Sequence, residues 1–301
     1  MKQFLPGTTR LGFIGTGVMG KSMLTHCINK GYVNPTIYTR TKEKAQPLID
    51  LGAKFVETPR EVAQNSDVII CIVGYPKDVR QVILDEKDGV ISGIGKGSVI
   101  IDMTTSEPSL AREISEKAAE KGAHSLDAPV SGGDIGARNG TLTVMAGGEE
   151  EVFSAVQPLL ASMGKALNYM GPAGNGQHTK MSNQILIATC MIGVVEGLLY
   201  AQKAGLDVEK VLTAVSAGAA NSFSLQSYAP RILKRDFNPG FYVEHFVKDM
   251  GIALKESEEM GLNLPGLKLA KQLYDQLIEQ GGAKYGTQAL ILALEKLNNI
   301  Q

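Results

Sequence analysis

An α/β fold is expected for this chain: a doubly wound, mostly parallel sheet in the N-terminal part, followed by an all-α domain with a long interdomain helix. Three observations predict it. Short β-branched runs alternate with amphipathic stretches through the first half. The first such run ends in a glycine-rich turn at Gly15. No strand pattern remains after the joint Gly171-Pro172-Ala173-Gly174-Asn175-Gly176. Strand–helix alternation of this kind makes a parallel sheet with helices on both faces.

In order, the apolar and β-branched runs predict strands at Leu11–Ile14, Thr36–Tyr38, Lys54–Val56, Val68–Val73, Val99–Ile101 and His124–Leu126. Helical spacing between them covers Met19–Lys30, Lys42–Leu51, Pro59–Asn65, Pro76–Leu84 and Pro108–Lys121. Two further runs, Thr141–Ala146 and Ala166–Met170, flank the helical pattern Glu150–Met163 and extend the sheet. After the joint, one helical run of about 30 residues ends at Gly205. Val208–Ala217, Val243–Met260, Pro265–Gln280 and Thr287–Asn298 follow with the same period. The expected domains are therefore 1–173 and 174–301.

Length and composition agree with two soluble domains: 301 residues, 44% hydrophobic, 20% charged, formal net charge −1. That balance, with no basic cluster, gives no support for a nucleic-acid partner. The run Ile185–Ala201 raises the question of a membrane span. It is short for one and contains Gly193, Glu196 and Gly197, so it reads as a buried core helix and no membrane partner is expected. Met1–Arg10 is short and polar with Pro6-Gly7, unlike a signal peptide, and the expected compartment is the cytoplasm. Cys27, Cys71 and Cys190 are widely spaced in apolar patterns and read as buried thiols.

The turn Gly15-Thr16-Gly17-Val18-Met19-Gly20 has the G-x-G-x-x-G spacing between a strand and a helix. Gly15 allows a sharp turn, Gly17 a close approach to a pyrophosphate, and Gly20 tight helix–strand packing with helix N–H groups facing the phosphates. The sheet is therefore of the Rossmann type, with a dinucleotide site. About 20 residues on, an NAD site usually carries Asp or Glu for the ribose. Here Thr39-Arg40-Thr41 follows the second strand, and a guanidinium binds a 2′-phosphate where a carboxylate repels it, so NADP is expected over NAD.

Ligands in such sheets bind outside the carboxyl ends of the strands. Val73-Gly74-Tyr75 and the segment containing Thr105 follow two of those ends and should line the cofactor near its ribose and nicotinamide. Ser131-Gly132-Gly133, after the sixth strand, offers a hydroxyl and successive N–H groups, a cradle for a small carboxylate. Lys180, Asn183 and Gln184 share one helical face at the start of the long apolar helix. A lysine beside such a core loses solvation, which lowers its pKa toward the range useful for proton transfer; a snorkelling surface lysine is the alternative reading. His178 points to a different face. His26, His124 and His245 lack partners spaced for a triad or a metal site, and no metal is expected.

Taken together, Gly12–Gly20, Asp127-Ala128-Pro129-Val130-Ser131-Gly132-Gly133, Gly174-Asn175-Gly176 leading to Lys180-Met181-Ser182-Asn183-Gln184, and Lys248-Asp249 resemble the β-hydroxyacid dehydrogenase family over nearly the whole chain. The resemblance implies Lys180 as acid/base and Asn183 as its catalytic and substrate-holding neighbour. It also implies Ser131, Gly132 and Gly133 on the substrate carboxylate, Thr105 by the nicotinamide, and Lys248 reaching the cofactor. It implies a small carboxylate-bearing substrate (a 3-hydroxy acid or its semialdehyde) and a homodimer or homotetramer. Methylmalonate, tartronate and succinate semialdehydes and glyoxylate all remain open. A non-catalytic NADP-binding scaffold and an imine reductase are the rival readings. The rest of the substrate pocket is assigned to Asn221–Tyr228, Phe246 and Asp249.

Overall fold

The computed structural model describes residues 1–300, in two compact units, Met1–Lys180 and the chain from Met181 onward. The first contains β1 (Leu11–Ile14), α1 (Val18–Asn29), β2 (Thr36–Tyr38), α2 (Gln46–Ile49), β3 (Lys54–Phe55), α3 (Pro59–Gln64), β4 (Val68–Cys71), α4 (Pro76–Leu84) and α5 (Val90–Gly93). It continues with β5 (Val99–Asp102), α6 (Pro108–Glu120), β6 (His124–Asp127), β7 (Val130–Ser131), α7 (Gly133–Asn139), β8 (Leu142–Gly148), α8 (Glu150–Leu160) and β9 (Gly164–Tyr169). Helix α9 (Asn175–Lys203) runs from this unit into the second. There α10 (Val208–Ser216), α11 (Phe223–Leu233), α12 (Val243–Glu259), α13 (Pro265–Glu279) and α14 (Leu290–Leu297) follow.

The strand order is β3-β2-β1-β4-β5-β6-β8-β7, with β9 on β8. Strands β1 to β6 pair in parallel, and β8 runs antiparallel to β6 and β7. Alternation along the strands divides the core. Leu11, Phe13, Val68, Ile70, Val99 and Ile101 face one layer with Met23, Leu24 and Phe153, from α1 and α8. Ile14, Ile69, Cys71 and Ile100 face the other with Val62, Val79, Val82 and Ile114, from α3, α4 and α6. Both faces of the central strands are thus buried, as a doubly wound sheet requires.

Three departures from the sequence reading have local causes. The helix expected over Lys42–Leu51 is a 3-10 turn, Lys42–Ala45, followed by α2, which restarts around Pro47 because proline cannot donate to a preceding turn. Thr41 stands at the N-cap position without a side-chain hydrogen bond. Helix α7 was not expected, since Gly133, Gly136 and Asn139 give it poor intrinsic propensity. Helix α11 carries Pro230 and starts at Ser222, whose side chain accepts the Leu225 N–H.

By length and composition α9 could cross a membrane. Its Met181, Ala188, Met191, Val195 and Leu198 belong to the second unit's core with Phe246, Tyr274 and Leu290. Leu186 and Tyr200 lie on its exposed stripe.

Candidate active site

The parallel register sets the carboxyl ends of β1, β2, β4, β5 and β6 along one rim, and β1 lies between β2 and β4, where the strand order reverses. Such a switch point is where an open α/β sheet binds ligands. Gly15 turns there with φ +96°, and a Cβ on it would stand 2.0 Å from the Ile72 carbonyl oxygen. A Cβ on Gly20 would stand 2.0 Å from the Gly15 carbonyl oxygen. Gly17 is different: it is exposed, and nothing lies within 4 Å of the Cβ position. Helix α1 has no acidic residue in its first turn and no side-chain cap, so its leading N–H groups are not claimed by a protein carboxylate. Thr16 Oγ1, buried beside them, has no hydrogen-bond partner among the described residues. Open space at Gly17, unclaimed helix N–H groups and an unpaired hydroxyl fit a dinucleotide pyrophosphate.

Arg40, at the end of β2, has its side chain 73% exposed and directs Nη1 to Asp78 Oδ1 at 3.2 Å. Asp78 is buried and its other oxygen accepts the Tyr75 N–H at 3.1 Å, which fixes the turn into α4. Val73 N–H donates to Thr104 Oγ1 at 3.0 Å, tying the ends of β4 and β5 together. Val73, Gly74, Tyr75 and Thr105 all lie on this rim, half-buried. Ser131 stands further out. It pairs with Thr143, whereas Asp127 pairs with Gly147 on the same strand. Four positions of extended chain place Ser131 about 13 Å beyond the end of β6 along the strand direction. Gly132, with φ +125°, then turns the chain into α7.

The start of α9 is held to this rim by groups that the sequence reading left without a role. Asp127 Oδ1 accepts the Gly174 N–H at 2.7 Å and Oδ2 the Gln177 N–H at 2.8 Å. Burial pushes the Asp127 carboxyl up to about 6, while the backbone N–H donors pull the other way. Gln177 is fully buried; its Nε2 donates to the Thr104 carbonyl at 2.7 Å and its Oε1 accepts the Ser106 N–H at 2.9 Å. One turn later Lys180 is only 7% exposed. A snorkelling surface lysine is therefore not what the fold contains. Asp127 stands inside one of the family motifs and Gln177 between two of them, but their partners lie 47 to 73 residues away in sequence, and no local pattern reports them.

In the second unit Asn183 Nδ2 donates to Gln184 Oε1 at 2.8 Å, and Gln184 Nε2 to Asp249 Oδ2 at 2.7 Å. Lys248 Nζ lies 2.9 Å from Asp249 Oδ1. The buried carboxylate thereby fixes the sense of the Gln184 amide and holds the lysine. Phe246, assigned at first to the substrate pocket, is a core residue: it is fully buried against Phe241 and Tyr274. His26 binds the Arg138 carbonyl, His124 pairs with Glu149, and His245 stacks edgewise near Tyr242, its pKa lowered by burial. Among the described residues no His, Cys, Asp and Glu cluster is arranged to hold a metal.

Residues 10–171 match the family model described as the NAD binding domain of 6-phosphogluconate dehydrogenase. Residues 174–294 match the one described as NAD-binding of NADP-dependent 3-hydroxyisobutyrate dehydrogenase. The chain is 58% identical over 295 residues to the probable 3-hydroxyisobutyrate dehydrogenase-like 1, mitochondrial, of Arabidopsis thaliana, covering 98% of this chain and 88% of that one. It belongs to the β-hydroxyacid dehydrogenase family. The 2-hydroxy-3-oxopropionate reductase of Escherichia coli is 39% identical over 290 residues, 96% of this chain and 98% of its own. A solved structure of Mycobacterium tuberculosis 3-hydroxyisobutyrate dehydrogenase with L-serine superposes with a TM-score of 0.86. It is 27% identical, and the match covers 95% of this chain and 99% of that one. This β-hydroxyacid dehydrogenase is an NAD(P)-dependent oxidoreductase acting on CH–OH groups.

Proposed function

We propose that this enzyme interconverts a small 3-hydroxy acid and its semialdehyde, prefers NADP(H), and uses Lys180 to move the proton. The observation that carries this reading is the burial of Lys180 in the second turn of α9, directly after the segment lashed to the sheet rim. An amine held in a fixed turn beside the rim is placed to exchange a proton with a carbonyl oxygen bound there.

The glycine turn Gly15–Gly20 and the N-terminus of α1 hold the pyrophosphate, and Arg40 takes the 2′-phosphate between Thr39 and Thr41. Val73, Gly74, Tyr75 and Thr105 line the ribose and nicotinamide; Lys248 is assigned to the cofactor by the family resemblance alone. When bound, the reduced nicotinamide supplies a hydride to the carbonyl carbon of the substrate. Ser131 and the N–H groups of Gly132 and Gly133 bind the substrate carboxylate, and Asn183 donates a hydrogen bond to the reacting end. Lys180 gives its proton to the oxygen as the carbonyl is reduced and takes it back in the oxidative direction, so charge on that oxygen is stabilised by a positioned ammonium. The names of relatives support a semialdehyde acid as substrate: besides the Escherichia coli reductase, a glyoxylate/succinic semialdehyde reductase 2 of Arabidopsis thaliana is 32% identical over 289 residues. The dimer or tetramer is expected from the family resemblance alone.

The test is turnover over Michaelis constant for methylmalonate, tartronate and succinate semialdehydes and glyoxylate, each with NADPH and NADH. Lys180→Ala is measured alongside and is expected to bind NADPH yet lose most of its turnover. Near-normal turnover in that variant rejects the assignment.

A further inference from the structure

Helix α9 begins without a cap of its own. Gly174 precedes it with φ +93°, and its first residue, Asn175, turns its side-chain Nδ2 to the Met170 carbonyl at 2.8 Å rather than offering an oxygen to the helix. Gly174 and Gly176 also weaken the first turn intrinsically. The end of a 29-residue helix built in this way would fray from its N-terminus. What holds it is a carboxylate from another element. Asp127, the last residue of β6, is 4% exposed and places one oxygen on the Gly174 N–H and the other on the Gln177 N–H. The fit is close: a Cβ on Gly176 would stand 2.4 Å from the Asp127 carbonyl oxygen, and one on Gly147 2.7 Å from Asp127 Oδ1. Gln177 then reaches from the same turn to both sides of the strand β5 exit, at Thr104 and Ser106.

We infer that Asp127, with Gln177, is a positioning residue for Lys180: it caps α9 from the sheet and fixes the turn from which the lysine side chain departs. Both carboxylate oxygens are engaged with backbone N–H groups and the side chain is buried, so Asp127 neither binds substrate nor exchanges protons with it. The inference rests on the reading of Lys180 as acid/base. Its physical content is that the Lys180 amide belongs to the second turn, whose bonds need the first. Loosening the first turn displaces the amine, and a displacement of about 1 Å at a reacting centre costs on the order of a hundredfold in rate.

Three measurements test it. Asp127→Asn keeps the shape but leaves one N–H facing an amide NH2. Its kcat is expected to fall about 30-fold while KM for NADPH stays within about twofold. Gln177→Glu, which sets an oxygen against the Thr104 carbonyl, is expected to lose about tenfold in kcat with the same unchanged KM. It carries the test if Asp127→Asn does not fold. In the unmodified enzyme, the Gly174 and Gln177 amides should show hydrogen-exchange protection comparable to that of the β5 amides. Unprotected amides overturn the proposal, as does a folded Asp127→Asn or Gln177→Glu whose kcat is within threefold of wild type. Parallel losses in kcat, NADPH affinity and folded fraction also overturn it, in favour of a purely structural role. Lys180→Ala, run beside them, separates the two claims. If it loses turnover while both positioning variants keep theirs, the lysine reading stands and only this inference falls. If Lys180→Ala itself turns over normally, the lysine reading fails first.

Discussion

Replacing Gly17 by alanine should leave the fold intact while weakening dinucleotide binding, because the three glycines of the turn differ in what a side chain would meet. Gly17 has φ −70° and ψ −163°, a conformation open to any residue, and nothing lies within 4 Å of its Cβ position. Alanine restricts the unfolded chain and so stabilises by about 0.4–1 kcal/mol. It is also a poorer N-cap than glycine, by roughly 0.5–1 kcal/mol. The two nearly cancel, and the melting temperature should stay within about 2 °C of wild type. Alanine at Gly15 would incur a left-handed φ, about 1–2 kcal/mol, and a Cβ 2.0 Å from a carbonyl oxygen. Alanine at Gly20 meets a carbonyl at the same distance, and both should lose about 2–4 kcal/mol of stability. At Gly17 the added methyl takes the space proposed for the pyrophosphate, so the NADPH dissociation constant should rise at least about tenfold, or 1.4 kcal/mol. The chain has no tryptophan, so NADPH fluorescence reports binding without interference, and circular dichroism reports melting. If Gly17→Ala binds NADPH within twofold of wild type, or melts as early as Gly15→Ala, the account of this turn is wrong.

Arg40→Asp should cut kcat/KM for NADPH by about 10–100-fold and leave NADH unharmed; unchanged cofactor preference would remove Arg40 from the site. Between pH 3.8 and about 6 the folded protein keeps a proton on Asp127 that the unfolded chain has released. Stability should therefore fall as pH rises through that window, by about 3 kcal/mol from this group, and melting curves of Asp127→Asn should lack that fall. Tyr274 donates to the Thr287 carbonyl at 2.8 Å inside the second core, and Tyr274→Phe should cost about 1–2 kcal/mol in urea unfolding. Burial pushes the Cys27 thiol up to about 12 and the Cys71 thiol well above its ordinary value, so neither should react with a disulfide reagent until the protein is unfolded.

The parts of the fold written in local periodicity were legible in the sequence. Leu11–Ile14, Thr36–Tyr38 and Pro76–Leu84 have the bounds their patterns predict. Other elements differ by a few residues at an end, as frayed termini do. The missed elements are those whose local preference opposes their structure. The two-residue strand β7 exists only because β8 pairs with it, and α7 is a glycine-rich helix supported by its surroundings, with Gly136 and Ala137 buried. The site divides in the same way. The glycine turn, Arg40 and Ser131 have residue types and spacing that suggest the roles proposed for them, and Lys180 is singled out by the family resemblance. Asp127 and Gln177 carry none that a reader of the sequence could see, because their work is done through partners far along the chain.

Two of the helices that start at the sheet rim, α1 and α9, illustrate a kind of anion sorting. Helix α9 meets an internal negative group, Asp127, at its electropositive tip, and has no vacancy for a foreign one. Helix α1 presents the same attraction with no carboxylate of the protein to answer it. Of these two ends, only that of α1 is left open to a pyrophosphate arriving from solution. On the proposed site, the satisfied terminus of α9 would direct the coenzyme as much as the open one of α1.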